Sequence, residues 1–172
     1  INAALELLAN RTQEIGTATT KLATTLGRSA DRGRWGQESL QRLLERAGLH
    51  EGIEYRQQHK GYGDSGNLQL PDFAIALPGN DQLLIDAKFP FAAYERAEAA
   101  TDSDERERLL LAHAKEVEEH AKKLGAKKYA SANRGPNFVA MYLPIESLWS
   151  EAARVDPALL NKCIESGVIP VT

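Results

Sequence analysis

The chain contains a single cysteine, Cys163, among its 172 residues. One thiol excludes a disulfide framework and a Cys-type zinc site, and it fits a reducing compartment. No apolar run approaches the roughly 20 residues that a membrane span needs. No signal peptide is legible, so no membrane contact is expected of this stretch. Charge is nearly balanced: 21 Lys and Arg against 24 Asp and Glu leave a formal net charge of -3. That excludes a global pull towards nucleic acid, and any such binding has to use a local basic patch. An initiating Met is also missing, and the chain stops just after the strand-like Val168-Ile169-Pro170-Val171. It has the look of an excerpt, so absent targeting segments say little about the parent protein.

What is present suits a soluble globular protein, with 42% hydrophobic and 26% charged residues, and the length suffices to bury a core without staples. The most informative stretch runs from Leu70 to Lys88. Two short apolar runs, Leu70–Leu77 and Gln82–Lys88, flank Pro78-Gly79-Asn80-Asp81, which predicts a β-hairpin. Asp72 opens the first strand. Asp86 closes the second, with Lys88 two residues on and therefore on the same strand face. A turn centred near residue 79 places Asp72 and Asp86 almost opposite each other. Two carboxylates and an ammonium at one end of a hairpin suit a divalent metal and a water nucleophile. A salt-bridged strand end is the bland alternative.

Around the hairpin, residues 1–26 read as a helix, with Leu5, Leu8, Thr12, Ile15, Thr19, Leu22 and Leu26 at heptad spacing. It either ends a coiled coil or packs on its own domain. A basic link with Arg28, Arg32 and Arg34 leads to Trp35, a core anchor, and to a helix ending at Gly48. Leu40, Leu43, Leu44 and Ala47 form its buried stripe. Gln37 lies at the edge of that stripe and Glu38 on the far side. Ile53–Gln58 predicts a strand, and Gly61–Asn67 a mobile loop without a phosphate-cradling ending. A helix at Ala92–Ala99 precedes a longer one, capped by Asp102 and reaching Leu124. His113 and His120 share a face of it. Without an H-E-x-x-H pattern they read as surface residues or phosphate contacts. Lys115, Lys122, Lys123, Lys127 and Lys128 form the best candidate phosphate patch, although such runs are usually solvated helix faces. A buried strand near Asn137–Pro144, a helix from Glu146 to Ala153, a helix from Asp156-Pro157 to Gly167 and a last strand complete the order. The sum is an α/β fold with a mixed sheet and helices on its faces.

The spacing P-D-x(13)-D-x-K resembles the PD-(D/E)xK nuclease superfamily. Gly33-Arg34-Trp35-Gly36 with Leu40, Leu44-Glu45-Arg46-Ala47-Gly48-Leu49, Pro71-Asp72, Leu77-Pro78, Ile85-Asp86-Ala87-Lys88, Tyr94, His120, Leu124, Lys127, Tyr129, Phe138-Val139, Pro144 and Glu146 together resemble the RmuC family of bacterial DNA recombination proteins, which is assigned to that superfamily. The resemblance runs from about residue 28 to the end. It implies a restriction-endonuclease-like domain over 28–172, with residues 1–27 as the end of a coiled coil, and a role in limiting DNA rearrangements. Usual members carry an N-terminal membrane anchor and a long coiled coil, so the expected setting is the bacterial cytoplasm, with that inner-membrane anchor available to the full-length protein. One departure stands out: the family usually has Glu directly after Trp-Gly, and this chain has Gln37. A glutamine offers a carbonyl oxygen but no charge, so metal affinity is expected to be lower.

The leading expectation is a Mg²⁺- or Mn²⁺-dependent DNA nuclease. Asp72, Asp86, the Ala87 carbonyl and Gln37 would hold the ion, and Lys88 would act on the water or the phosphate. Arg32, Arg34 and Lys127 would contact phosphates away from the reacting centre. DNA is the expected partner, with a homo-oligomer through the N-terminal helix. The rivals are a catalytically weak or inactive DNA-binding scaffold, which Gln37 favours, and a purely structural interaction domain.

Overall fold

The computed structural model describes residues 29–57, 71–88, 90–127 and 135–172. The predicted N-terminal helix, the coiled-coil reading, the boundary near residue 27, the glycine-rich loop at 61–67, and Arg28, Lys128 and Tyr129 lie outside them.

Five strands and five helices are described. Helix α1 (Ser29–Arg46) precedes β1 (Tyr55–Gln57) and β2 (Phe73–Ala76). A 3-10 turn (Pro78–Asn80) leads to β3 (Gln82–Ala87). Then come α2 (Ala92–Ala99), α3 (Ser103–Ala126), β4 (Val139–Tyr142), α4 (Glu146–Val155), α5 (Leu159–Glu165) and β5 (Val168–Val171). The strands make one sheet in the order β1-β2-β3-β4-β5. The first three are antiparallel, and β3, β4 and β5 are parallel. The mixed sheet flanked by helices that the element order predicts is therefore observed.

The hairpin turns where its residues dictate. Pro78 presets the first turn position, while Gly79 (φ 83°) and Asn80 (φ 65°) take the left-handed conformations that these two residue types tolerate best. Leu77 N–H then donates to Asp81 C=O at 2.9 Å. The resulting register pairs Phe73 with Ile85 and Ala76 with Gln82. Continued by one residue, it sets Asp72 opposite Asp86, as the spacing predicts.

Strand alternation sorts the core into two faces. Ala74, Leu84, Val139, Met141 and Val168 pack under α3, α4 and α5, where Val117, Ala121, Leu124, Ala152, Leu159 and Cys163 are buried. Phe73, Ile85, Ala87, Ala140 and Tyr142 pack under Leu40 and Leu44 of α1 together with Tyr55. Both parallel connections, β3 to β4 and β4 to β5, step the same way along the sheet, so their helices share a face. A third cluster closes the space beyond the C-terminal ends of β3 and β4: Phe91, Tyr94, Ala97, Leu110, Ile145 and Leu148, with Trp35 half-buried against it. Trp35 is thus the expected core anchor.

Four local expectations need correction. The stretch carrying Arg32 and Arg34 is no link: α1 is already helical from Ser29, and Gly33 lies on an open face where no Cβ is needed for packing. Residues 52–54 form a turn with Ile53 73% exposed, so β1 starts at Tyr55, whose ring is the first to reach the core. Helix α5 begins at Leu159 because Asp156 and Pro157 make the turn before it, with Asp156 accepting from Ala158 N–H at 3.2 Å. His113 is fully buried, not a surface residue. Asp102 does cap α3, accepting from Glu105 N–H at 2.8 Å.

Candidate active site

The hairpin's open end is built from three directions. Strand β2 stops at Phe73, so the N–H of Ala87, which points towards β2, meets no strand carbonyl there. The Asp72 carboxylate takes that place: its Oδ2 accepts from Ala87 N–H at 2.9 Å. Its Oδ1 accepts from the Gln37 side-chain amide at 2.6 Å. Gln37 gets there because α1 passes over the ends of β3 and β4 at Gly36, where an added Cβ would sit 3.9 Å from Ala87 Cβ and 3.8 Å from Pro144 Cγ. One helical step from that crossing, the Gln37 side chain turns to Asp72. Glu38, on the outer side as expected, pairs with Arg34 at 3.8 Å.

Asp86 shares the α3-covered sheet face with Leu84, two residues before it, and is 2% exposed. A carboxylate so removed from water needs a partner. It has one in Lys88, whose ammonium pairs with Asp86 Oδ2 and lies 3.4 Å from the Ala87 carbonyl. The Lys88 side chain keeps a quarter of its surface in solvent. Asp72, Asp86, Ala87, Lys88 and Gln37 thus form one connected polar group: Gln37 to Asp72, Asp72 to the Ala87 amide, the Ala87 carbonyl and Asp86 to Lys88. Among the described residues no group of three or more His, Cys, Asp or Glu side chains is set to hold a metal. The donor set here is two carboxylates plus the neutral oxygens of Ala87 and Gln37. All are hard oxygen donors, which fit Mg²⁺ or Mn²⁺ and do not suit zinc.

The phosphate-contact candidates are dispersed. The Arg32 guanidinium lies 5.7 Å from the Phe91 ring centroid, a cation–π contact at the C-terminal end of β3. Arg34 is exposed between Asp31, at 3.5 Å, and Glu38. Lys127 is the exposed C-cap of α3, at the opposite end of the sheet, where α3 closes on Ser166 just before β5. Lys122 and Lys123 are each paired with a glutamate one turn back, Glu118 and Glu119. Two of the five lysines of the predicted patch are thereby paired with acids.

The two α3 histidines differ. His113 Nε2–H donates to Leu148 C=O at 2.7 Å, its ring tilts on Tyr94 with centroids 5.3 Å apart, and Nδ1 has no partner. Burial pushes its pKa below the ordinary 6.5, against the raising effect of the Leu148 carbonyl. His120 is half-buried; burial and then the Lys88 ammonium push its pKa down. The shared face of the pair was legible in their spacing. That one would be buried in the core and the other lie at its margin was not, because it depends on what α3 crosses.

An α/β domain with a five-strand mixed sheet carries, at the open end of its hairpin, two carboxylates, a lysine and a glutamine in one polar group. The chain belongs to the RmuC family: the model described as "RmuC family" matches residues 1–172. It is 37% identical over 174 residues to the DNA recombination protein RmuC homolog of Haemophilus influenzae, covering 100% of this chain and 38% of that protein. It is 36% identical to the homolog of Pasteurella multocida, covering 99% and 35%, and 33% identical to that of Pseudomonas aeruginosa, covering 98% and 38%. The chain thus spans little more than a third of the length of these relatives. No solved structure matches it. No helix among the described residues is long and apolar enough to cross a membrane.

Proposed function

We propose that this domain is the metal-dependent nuclease-like part of a DNA recombination protein, hydrolysing phosphodiester bonds of DNA with Mg²⁺ or Mn²⁺. The relatives' names supply the recombination role. The observation that supports the chemistry is the connected group of Asp72, Asp86, Ala87, Lys88 and Gln37 at the hairpin's open end. Asp72 and Asp86 would hold the ion, with neutral oxygens from Ala87 and Gln37. The ion supplies a bound water of lowered pKa and positive charge against the scissile phosphate. The Lys88 ammonium, anchored by Asp86, orients the attacking water and offsets charge building on the phosphate. Asp72, fixed by two donors, keeps the hairpin end in register with α1. In this reading the domain has the restriction-endonuclease-like architecture of the PD-(D/E)xK superfamily, and Arg32, Arg34 and Lys127 contact phosphates further along the DNA. The N-terminal helix joins copies of the chain.

One observation favours a second reading, a DNA-binding scaffold with a weak site: both Asp72 oxygens are already engaged, and Gln37 brings no charge. Labelled DNA incubated with Mg²⁺, Mn²⁺ or EDTA separates the two. Cleavage that needs the metal and is lost in Asp86→Asn is expected. DNA binding without cleavage at any metal concentration would overturn the nuclease reading in favour of the scaffold.

A further inference from the structure

Helix α1 straddles the end of β3. Gly36 faces it, where an added Cβ would sit 3.9 Å from the Ala87 Cβ, and Leu40 and Leu44 continue that buried stripe. At about 100° per residue, Gln37 and Ser39 fall on opposite margins of the stripe. Each margin reaches a different neighbour of β3. On one side Gln37 donates to Asp72 Oδ1, just before β2, at 2.6 Å. On the other the Ser39 hydroxyl shares a hydrogen bond with the Tyr142 hydroxyl at 3.3 Å. Tyr142 closes β4 and stands beside Ala87 in the parallel register. Its main chain serves the same site, since its C=O accepts from Lys88 N–H at 2.9 Å. One nearly buried residue thus touches both halves of the polar group: the lysine through its backbone, and the helix that carries the glutamine through its ring. Apolar packing is non-directional and leaves a helix free to roll by a small angle. Hydrogen bonds on both margins are directional and hold it.

We propose that Tyr142 is a positioning residue of this site: its hydroxyl, with Ser39, fixes the roll of α1 so that the Gln37 amide stays on Asp72, while its carbonyl holds Lys88 in line with β3. The consequence for an ion rests on the metal reading above; the clamp itself does not. Tyr142 touches neither the ion's donor atoms nor a substrate. It acts through Gln37, whose side chain can serve Asp72 or an ion only while α1 keeps its roll.

The test follows the Gln37 side-chain amide by NMR in the full, metal-free chain, with Gln37→Ala to assign its signal. Tyr142→Phe keeps the ring and removes only the hydroxyl; Ser39→Ala removes the partner. Both should move the Gln37 signal towards that of a free glutamine. The Gln41 amide, bonded to Glu45 of the same helix at 3.0 Å, should stay in place. Ser39→Thr, which keeps a hydroxyl, should restore the parental Gln37 signal, which a packing role would not predict. By calorimetry Mn²⁺ affinity should be about 2- to 5-fold lower in Tyr142→Phe, the value of one modest neutral hydrogen bond. The same change added to Gln37→Ala should cost nothing further. An unmoved Gln37 signal in the folded variants, or equal movement of Gln37 and Gln41, overturns the proposal. So does a Mn²⁺ loss of the same size in parent and Gln37→Ala, because Tyr142 would then not act through Gln37. A moved Gln37 signal in a chain that binds no Mn²⁺ upholds the clamp and overturns the metal reading instead.

Discussion

Replacing Gln37 by glutamate is the most discriminating perturbation of this site. The Gln37 amide donates to Asp72 Oδ1 at 2.6 Å, and Gln37→Glu puts a second carboxylate there. Two unit charges relaxed to about 4 Å repel by roughly 4 kcal/mol at an effective dielectric near 20. The molecule can escape part of this by binding a proton between the two acids. At pH 7 that costs about 3.7 kcal/mol, from a free Glu pKa of about 4.3 and about 1.36 kcal/mol per unit. The two routes converge, so a metal-free loss near 4 kcal/mol is the ceiling, and solvent access to this half-buried spot brings it to about 2–4. For a chain of this size that is a fall in Tm of roughly 5–15 °C. The proton route gives the loss a signature: at pH 5 protonation costs only about 1 kcal/mol, so the destabilisation should shrink as pH falls. A divalent cation between the carboxylates should also remove it, and Mn²⁺ should bind the variant more tightly than the parent. The assay is thermal unfolding of parent, Gln37→Glu and Gln37→Ala in EDTA and in Mn²⁺ at pH 5 and 7, with calorimetry of Mn²⁺ binding. Gln37→Ala loses only a hydrogen bond to a carboxylate, about 1.5–3 kcal/mol, and should show neither pH nor metal rescue. A Gln37→Glu protein as stable as the parent in EDTA at pH 7, with unchanged Mn²⁺ affinity, would refute the placement of α1 against Asp72.

Three further outcomes are expected. Lys88→Ala leaves the buried Asp86 carboxylate without its ammonium. It should destabilise by about 2–3 kcal/mol after allowing for the quarter-exposed lysine, hold or slightly raise metal affinity, and cut cleavage sharply; a folded variant that cleaves at the parental rate would make the lysine purely structural. Because burial lowers the pKa of His113 and of His120 below 6.5, the unfolded chain takes up their protons first. Stability should therefore be full above about pH 6.5 and fall as pH drops below it; Tm measured from pH 7.5 to 5 should show this, with a smaller fall in His113→Gln. Gly125→Ala would place a Cβ 1.9 Å from the Ser166 carbonyl oxygen, so α3 must shift from the start of β5; urea denaturation should show a loss of about 3 kcal/mol or more.

The hairpin register was determined by sequence alone. Pro78-Gly79-Asn80 permits few backbone paths, and a one-residue slip would turn Phe73 and Ile85 out of the core and bring Asp86 to the wrong face. The Asp102 cap and the order of strands and helices were legible for similar local reasons. Gln37 at the margin of its helix stripe followed from the 3.6-residue period. What no local pattern contained was the partner of each polar side chain. Gln37 and Asp72 are 35 residues apart, and their hydrogen bond exists because α1 crosses the end of β3, with Gly36 against Ala87. Asp72 bonds the Ala87 amide because β2 ends one residue short of extending the ladder. Propensity misread the arginine-rich start of α1 as a link, since helix formation there is rewarded by Trp35 packing on a cluster assembled from distant segments. His113 and His120 have the same spacing-based face and different surroundings, because α3 runs from the aromatic cluster around Tyr94, where His113 is buried, to a contact with Ser166, leaving His120 half-buried. Hydrophobic periodicity states which side of an element is buried; only the crossing of elements decides what lies against it, and for a polar side chain that partner is its function.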